Sequence, residues 1–122
     1  MKSLLIIAHG SRRSASNDEV RQLAERIARL PNCGYDEVSS AFLEIAEPSI
    51  PDGLEICIQR GATEVIVFPY FLAAGRHVVE DIPREIAPVI DKYPNVNVQL
   101  APHLGMAVSL PEVILSTARQ TQ

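Results

Sequence analysis

Two histidines and a glutamate occupy comparable places in this sequence. His9 closes the run Leu4-Leu5-Ile6-Ile7-Ala8, and Glu44 closes Val38-Ser39-Ser40-Ala41-Phe42-Leu43. His77 follows a few residues after Val65-Ile66-Val67-Phe68. Each run reads as a short buried strand. If the three are parallel neighbours, all three side chains emerge at one carboxyl-terminal edge, where ligands of such sheets bind. Two imidazoles and a carboxylate meeting there make a divalent-metal site with open coordination positions. Imidazole suits cobalt, nickel and iron(II), and this ligand set does not choose among them. A single histidine in an apolar loop is more often a hydrogen-bonding partner; it is the joint pattern at three strand exits that favours ligation.

The elements that must position this trio alternate from end to end. Strands are expected over 3–8, 37–43, 65–68 and 96–101. The third has no polar residue, as a strand buried on both faces should, and the fourth alternates like an edge. A first helix follows from Val20, Leu23, Ala24, Ile27 and Ala28 at i, i+3, i+4, i+7, i+8. A second opens at Ser49 with Asp52 as an imperfect capping box, and Gly61 suits its end. A third is expected from about Asp81, with Pro88 predicting a kink or break. A last short helix opens on the capping box Ser109-Leu110-Pro111-Glu112, and its tail over 117–122 should fray. The β-α-β-α-β-α-β-α order with short right-handed crossovers gives an α/β fold: a flavodoxin-like three-layer sandwich around a four-stranded parallel sheet, one domain over 1–122.

Bulk composition narrows the function. A chain of 122 residues, 47% hydrophobic and 21% charged, can bury a core without disulfide or zinc staples. A formal net charge of −4 argues against nucleic-acid or anionic-membrane affinity. Cys33 and Cys57 sit in no zinc or CxxC spacing; Cys57 reads as a small buried hydrophobe and Cys33 as a turn residue, both reduced. The apolar start is too short for a signal-peptide core or a spanning helix, so the expected location is cytoplasmic.

Three loops carry the remaining candidates. In His9-Gly10-Ser11-Arg12-Arg13, Gly10 permits a tight turn, and the 11–17 turn could hold an anion at a helix start. That loop has neither a dinucleotide nor a P-loop glycine pattern, and Ala8 in place of an arginine removes phosphohistidine chemistry. Glu47 competes with Glu44, but its place before Pro48 suits a solvated role. Pro69-Tyr70-Phe71-Leu72-Ala73-Ala74-Gly75-Arg76 is an apolar loop fit to wall a flat ligand, with Gly75 as a hinge.

Taken together, the segments 8–12, 42–50 and 69–83 resemble the class II chelatases, whose small members are sirohydrochlorin cobalt- and iron-chelatases. The similarity runs from Ser3 to about Gly105. It implies insertion of Co2+, Fe2+ or Ni2+ as substrate into a tetrapyrrole, with no other cofactor and no ATP, by a homodimer of half-lobes. The resemblance gives His9, Glu44 and His77 the metal-handling and catalytic roles. Ser11, Arg12, Arg76 and Gly75 fall to the polycarboxylate substrate, with Tyr70, Phe71 and Leu72 under the ring; Arg13 and His103 are weaker candidates. Met106-Ala107 replaces the family's usual His-Pro pair, which bears on dimer geometry. The alternative reading is a non-catalytic metal or tetrapyrrole carrier using the same pocket.

Overall fold

The computed structural model describes residues 1–73 and 75–122, with 77 and 78 described by their backbone alone. Strand β1 (Lys2–Ala8) leads through α1 (Ser14–Ala28) to β2 (Glu37–Phe42), then α2 (Ile50–Gln59) and β3 (Glu64–Pro69). A π-helical turn (His77–Asp81) runs straight into α3 (Ile82–Lys92), followed by β4 (Asn97–Leu100), a 3-10 turn (Leu104–Met106) and α4 (Leu110–Arg119). The strands lie in the order β2-β1-β3-β4, every pair parallel. This is the expected α/β sheet, with β4 at an edge.

The period-two alternation of each strand decides what each face buries. Leu5, Ile7, Val65 and Val67 join Ala41, Leu54, Ile82 and Ile86 in the main core, under α2 and α3. Each such side chain contributes roughly 1.5–3 kcal/mol by leaving water. Gly53 lets α2 approach the sheet: a Cβ there would lie 2.7 Å from that of Ala41. Ser49 Oγ accepts from the Asp52 backbone N–H at 3.2 Å, fixing the start of α2 as its sequence predicts. Ion pairing of Lys92 with Glu55 (2.6 Å), beside a hydrogen bond from Tyr93 (2.8 Å), ties α3 to α2. Both bonds hold the Glu55 carboxyl below its ordinary range. Cys57 is buried and pushed up by that burial, while Cys33 is half-buried; both are free thiols.

Three expectations need correction. Strand β3 is buried on one face only: Val65 and Val67 are covered, whereas Ile66 and Phe68 on the other face are half-exposed. On that face α1 lies mainly over β2 and β1, and its own Ala28 is exposed. Helix α3 starts at Ile82 with Asp81 as its N-cap, as expected, and the π-turn precedes it. Helix α3 continues through Pro88 to Lys92 instead of breaking there, because Ile86 and Val89, both buried, hold it to the core and outweigh one missing hydrogen bond. The capping box of α4 does not form: Ser109 makes no side-chain cap bond and its backbone is already helical.

The tight seat of α2 yields a direct check. Gly53→Ala is expected to lower unfolding free energy by about 1–3 kcal/mol through overpacking against Ala41, measured by urea denaturation.

Candidate active site

The site starts from how β1 and β2 end. Beyond the sheet, the Leu43 N–H donates to Ala8 (2.9 Å) and the Glu44 N–H to His9 (3.1 Å), so the two exits stay in register. Gly10 then turns with φ +95°, and a Cβ there would lie 1.9 Å from the Glu44 carbonyl oxygen. Only glycine permits both that turn and that approach. The two backbones therefore bring His9 Nε2 to 3.0 Å from Glu44 Oε1. Their side chains are 46% and 56% exposed, so the pair is solvated and reachable from outside. This satisfies a carboxylate at a strand exit by pairing and by water together.

The Glu44 loop is closed on itself. The Phe42 N–H donates to Pro48 (2.9 Å), and Phe42 and Ser49 form a bridge, so 43–48 leaves and returns at one point. Inside it, the Ala46 N–H donates to Glu44 (2.7 Å) around Ile45 at φ +71°. This is a three-residue turn that a β-branched residue adopts only under strain. The Glu47–Pro48 peptide is cis. Arg21 of α1 braces the loop, donating to the Glu47 carbonyl at 2.9 Å while its guanidinium lies 5.0 Å from the Phe42 ring centroid. Glu47 itself is exposed.

On the His9 side, the buried Asn17 amide clamps Ser11: it accepts from the Ser11 N–H at 2.9 Å and donates to its carbonyl at 2.7 Å. Ser11 Oγ in turn accepts from the Arg13 N–H at 3.1 Å. Two donors that an anion at the 11–17 turn would need are thus already engaged, which weakens the anion-loop reading.

At the β3 exit, Tyr70, Phe71 and Leu72 line a cavity of about 200 Å³ together with Leu104. Leu72 is 70% exposed and Phe71 leans on the core. The Gly105 N–H donates to Phe71 at 3.0 Å, and a Cβ at Gly105 would lie 1.8 Å from the Leu72 carbonyl oxygen. The loop after β4 is thus zipped to the apolar wall, with His103 half-buried beside it. Arg12, Arg13, Gly75 and Arg76 are exposed; Arg76 makes only a loose 3.7 Å pair with Glu80.

His9 and Glu44 are therefore brought together. His77 opens the π-turn, a form of helix frequent at functional sites. Its side chain, like all of Ala74, lies outside the described residues, and among the described residues no three His, Cys, Asp or Glu cluster around one point. Asn17, Arg21 and Ile45 are the positioning residues that sequence reasoning missed. A buried asparagine in the first turn of a helix is a faint signal, since asparagine favours caps and turns; nothing local marks Arg21 or Ile45.

The sequence and the fold both have known relatives. The CbiX family model matches residues 3–121. The sirohydrochlorin ferrochelatase of Priestia megaterium is 32% identical over 121 residues, covering 99% of this chain and 45% of that relative. The sirohydrochlorin cobaltochelatase of Methanococcus maripaludis is 42% identical over 84 residues, covering 69% of this chain and 57% of the other. Among solved structures, a CbiX protein from Marinobacter aquaeolei VT8 superposes with a TM-score of 0.82 at 26% identity, covering 99% of this chain and 97% of its own. The sirohydrochlorin chelatase SirB from Bacillus subtilis subspecies spizizenii, solved with cobalt, gives 0.83 at 28% identity, covering 98% and 50%. The chain belongs to the CbiX family. It spans about half the length of the first curated relatives it matches.

The clamp separates positioning from surface residues. Asn17→Ala should cost about 1–3 kcal/mol by stranding the Ser11 backbone groups. Arg76→Ala should stay within about 0.5 kcal/mol of the parent. Urea denaturation of both variants checks the contrast.

Proposed function

We propose that this chain inserts a divalent metal into sirohydrochlorin, with Co2+ as the first candidate and Fe2+ or Ni2+ as alternatives. The observation that carries the reading is the 3.0 Å approach of His9 Nε2 to Glu44 Oε1 at a solvated strand exit, beside an apolar wall. The similarity to sirohydrochlorin ferrochelatases and cobaltochelatases supports it.

Insertion requires loss of two pyrrole protons and exchange of the metal's ligands for four ring nitrogens. In this reading His9, Glu44 and His77 hold the incoming ion through open-site coordination, which releases it more readily than a closed tetrahedral cage. A neutral imidazole among them accepts a pyrrole proton, and Glu44 offsets the charge that develops. Tyr70, Phe71 and Leu72 support the flat ring. Arg12 and Arg76 pair with its carboxylates, with Ser11 and Gly75 on the loops beside it. The reaction needs no ATP and no further cofactor.

The chain acts, in the same reading, as a cytoplasmic homodimer of one-lobe protomers without nucleic-acid or membrane partners. The single four-stranded sheet of the described residues and the resemblance to the small chelatases support the dimer reading. Among the described residues no helix is long and apolar enough to cross a membrane.

The test mixes purified protein with sirohydrochlorin and Co(II) and follows the absorption change. His9→Ala and Glu44→Gln should each slow insertion by about 100-fold or more with far-ultraviolet circular dichroism unchanged. Parent rates from both variants would overturn the assignment.

A further inference from the structure

Helix α1 presents two polar side chains one turn apart, Asn17 and Arg21, and each holds a different arm of the site. Asn17 clamps the chain just after His9. Arg21 reaches the other arm: its Nη2 donates to the Glu47 carbonyl at 2.9 Å and its Nη1 to Asp18 Oδ1 at 2.9 Å, while its charge lies over the Phe42 ring. Phe42 is fully buried at the foot of the 43–48 loop, so the guanidinium ties the return half of that loop to a fixed point in the core. A planar fork makes this three-way contact, which a single ammonium group does not match.

The backbone shows what this brace resists. Ile45 keeps φ +71°, a state that a β-branched residue holds only where its surroundings over-determine it. The start of the loop is held by the Glu44 N–H bond to His9, and its foot by the Phe42 N–H bond to Pro48. The bond at Glu47 secures the stretch between them, which contains the strained residue. Released there, the turn at Ile45 relaxes and Glu44 Oε1 leaves its 3.0 Å approach to His9 Nε2. Asp18 offsets the guanidinium charge, so the brace does not set an uncompensated cation beside the loop that must receive another.

We propose that Arg21 is a positioning residue for metal capture. By fixing the Glu47 carbonyl it sets how tightly the His9–Glu44 pair takes the incoming divalent ion, without touching the ion or the ring. The inference rests on the chelatase reading of the site. Arg21 is no part of the apolar wall formed by Tyr70, Phe71, Leu72 and Leu104, so its effect falls on the metal and not on the tetrapyrrole.

Calorimetric titration with Co(II) alone reads the effect without turnover. Arg21→Gln should weaken Co(II) binding by about tenfold or more, as loss of a group that orients metal ligands does. Arg21→Lys keeps the stem over Phe42 and a charge beside Asp18 but lacks the fork, so it should weaken binding by less. It also reports if Arg21→Gln disturbs the packing of α1. In insertion assays the KM for Co(II) should rise in both variants, while that for sirohydrochlorin stays within about twofold of the parent. A purely structural role would lower stability and leave that ratio unchanged. Folded variants that both bind Co(II) like the parent, or that raise the two KM values together, would overturn the inference. His9→Ala in the same titration separates the two readings. Parent binding that survives it defeats the chelatase site and this inference together, whereas His9-dependent binding indifferent to Arg21 defeats this inference alone.

Discussion

The pairing of β1 with β2 does not stop where the strands do. Two further hydrogen bonds, Leu43 to Ala8 and Glu44 to His9, carry the ladder out into the loops. Gly10 then lies so close to the Glu44 carbonyl that any side chain would part them. The whole site depends on this extension. A histidine and a glutamate on free loops would lose much of any joint affinity to the entropy of ordering them. Held in register by backbone, they meet before any ligand arrives, and the surrounding contacts keep them there. Asn17 fixes the chain after His9, while Arg21 and the strained turn at Ile45 fix the chain around Glu44.

How much of this could be read from the residues follows from the range of each interaction. The strands, the order of elements, the start of α2 at Ser49 and the emergence of His9 and Glu44 at one edge all rest on local periodicity and parallel topology, which sequence expresses directly. The positioning groups do not. Arg21 reaches Glu47 across 26 positions of chain, and the φ of Ile45 is set by a closed loop, not by any preference of isoleucine. Pro88 shows the same limit from the other side: a local rule against proline gives way to the burial of Ile86 and Val89. The capping box expected at Ser109 fails because a cap needs an extended backbone there, which the preceding turn does not supply.

The apolar run of β3 suggested two buried faces, and the exposed face is informative because it departs from that. Ile66 and Phe68 have the composition of core residues without the cover. Helix α4 also carries an apolar stripe and buries none of its residues. The 3-10 turn at Leu104 joins the two themes, since Leu104 borders both the apolar wall beside the site and the uncovered face of the sheet.

The central claim is that His9 and Glu44, with His77, share one ion at the rim of the sheet. X-ray absorption of the Co(II)-loaded protein reads that ligand set directly. The account predicts scattering from two imidazole rings together with oxygen ligands, with one ring lost in His9→Ala and one in His77→Ala. A Co(II) shell of oxygen atoms alone, unchanged by either substitution, would contradict it.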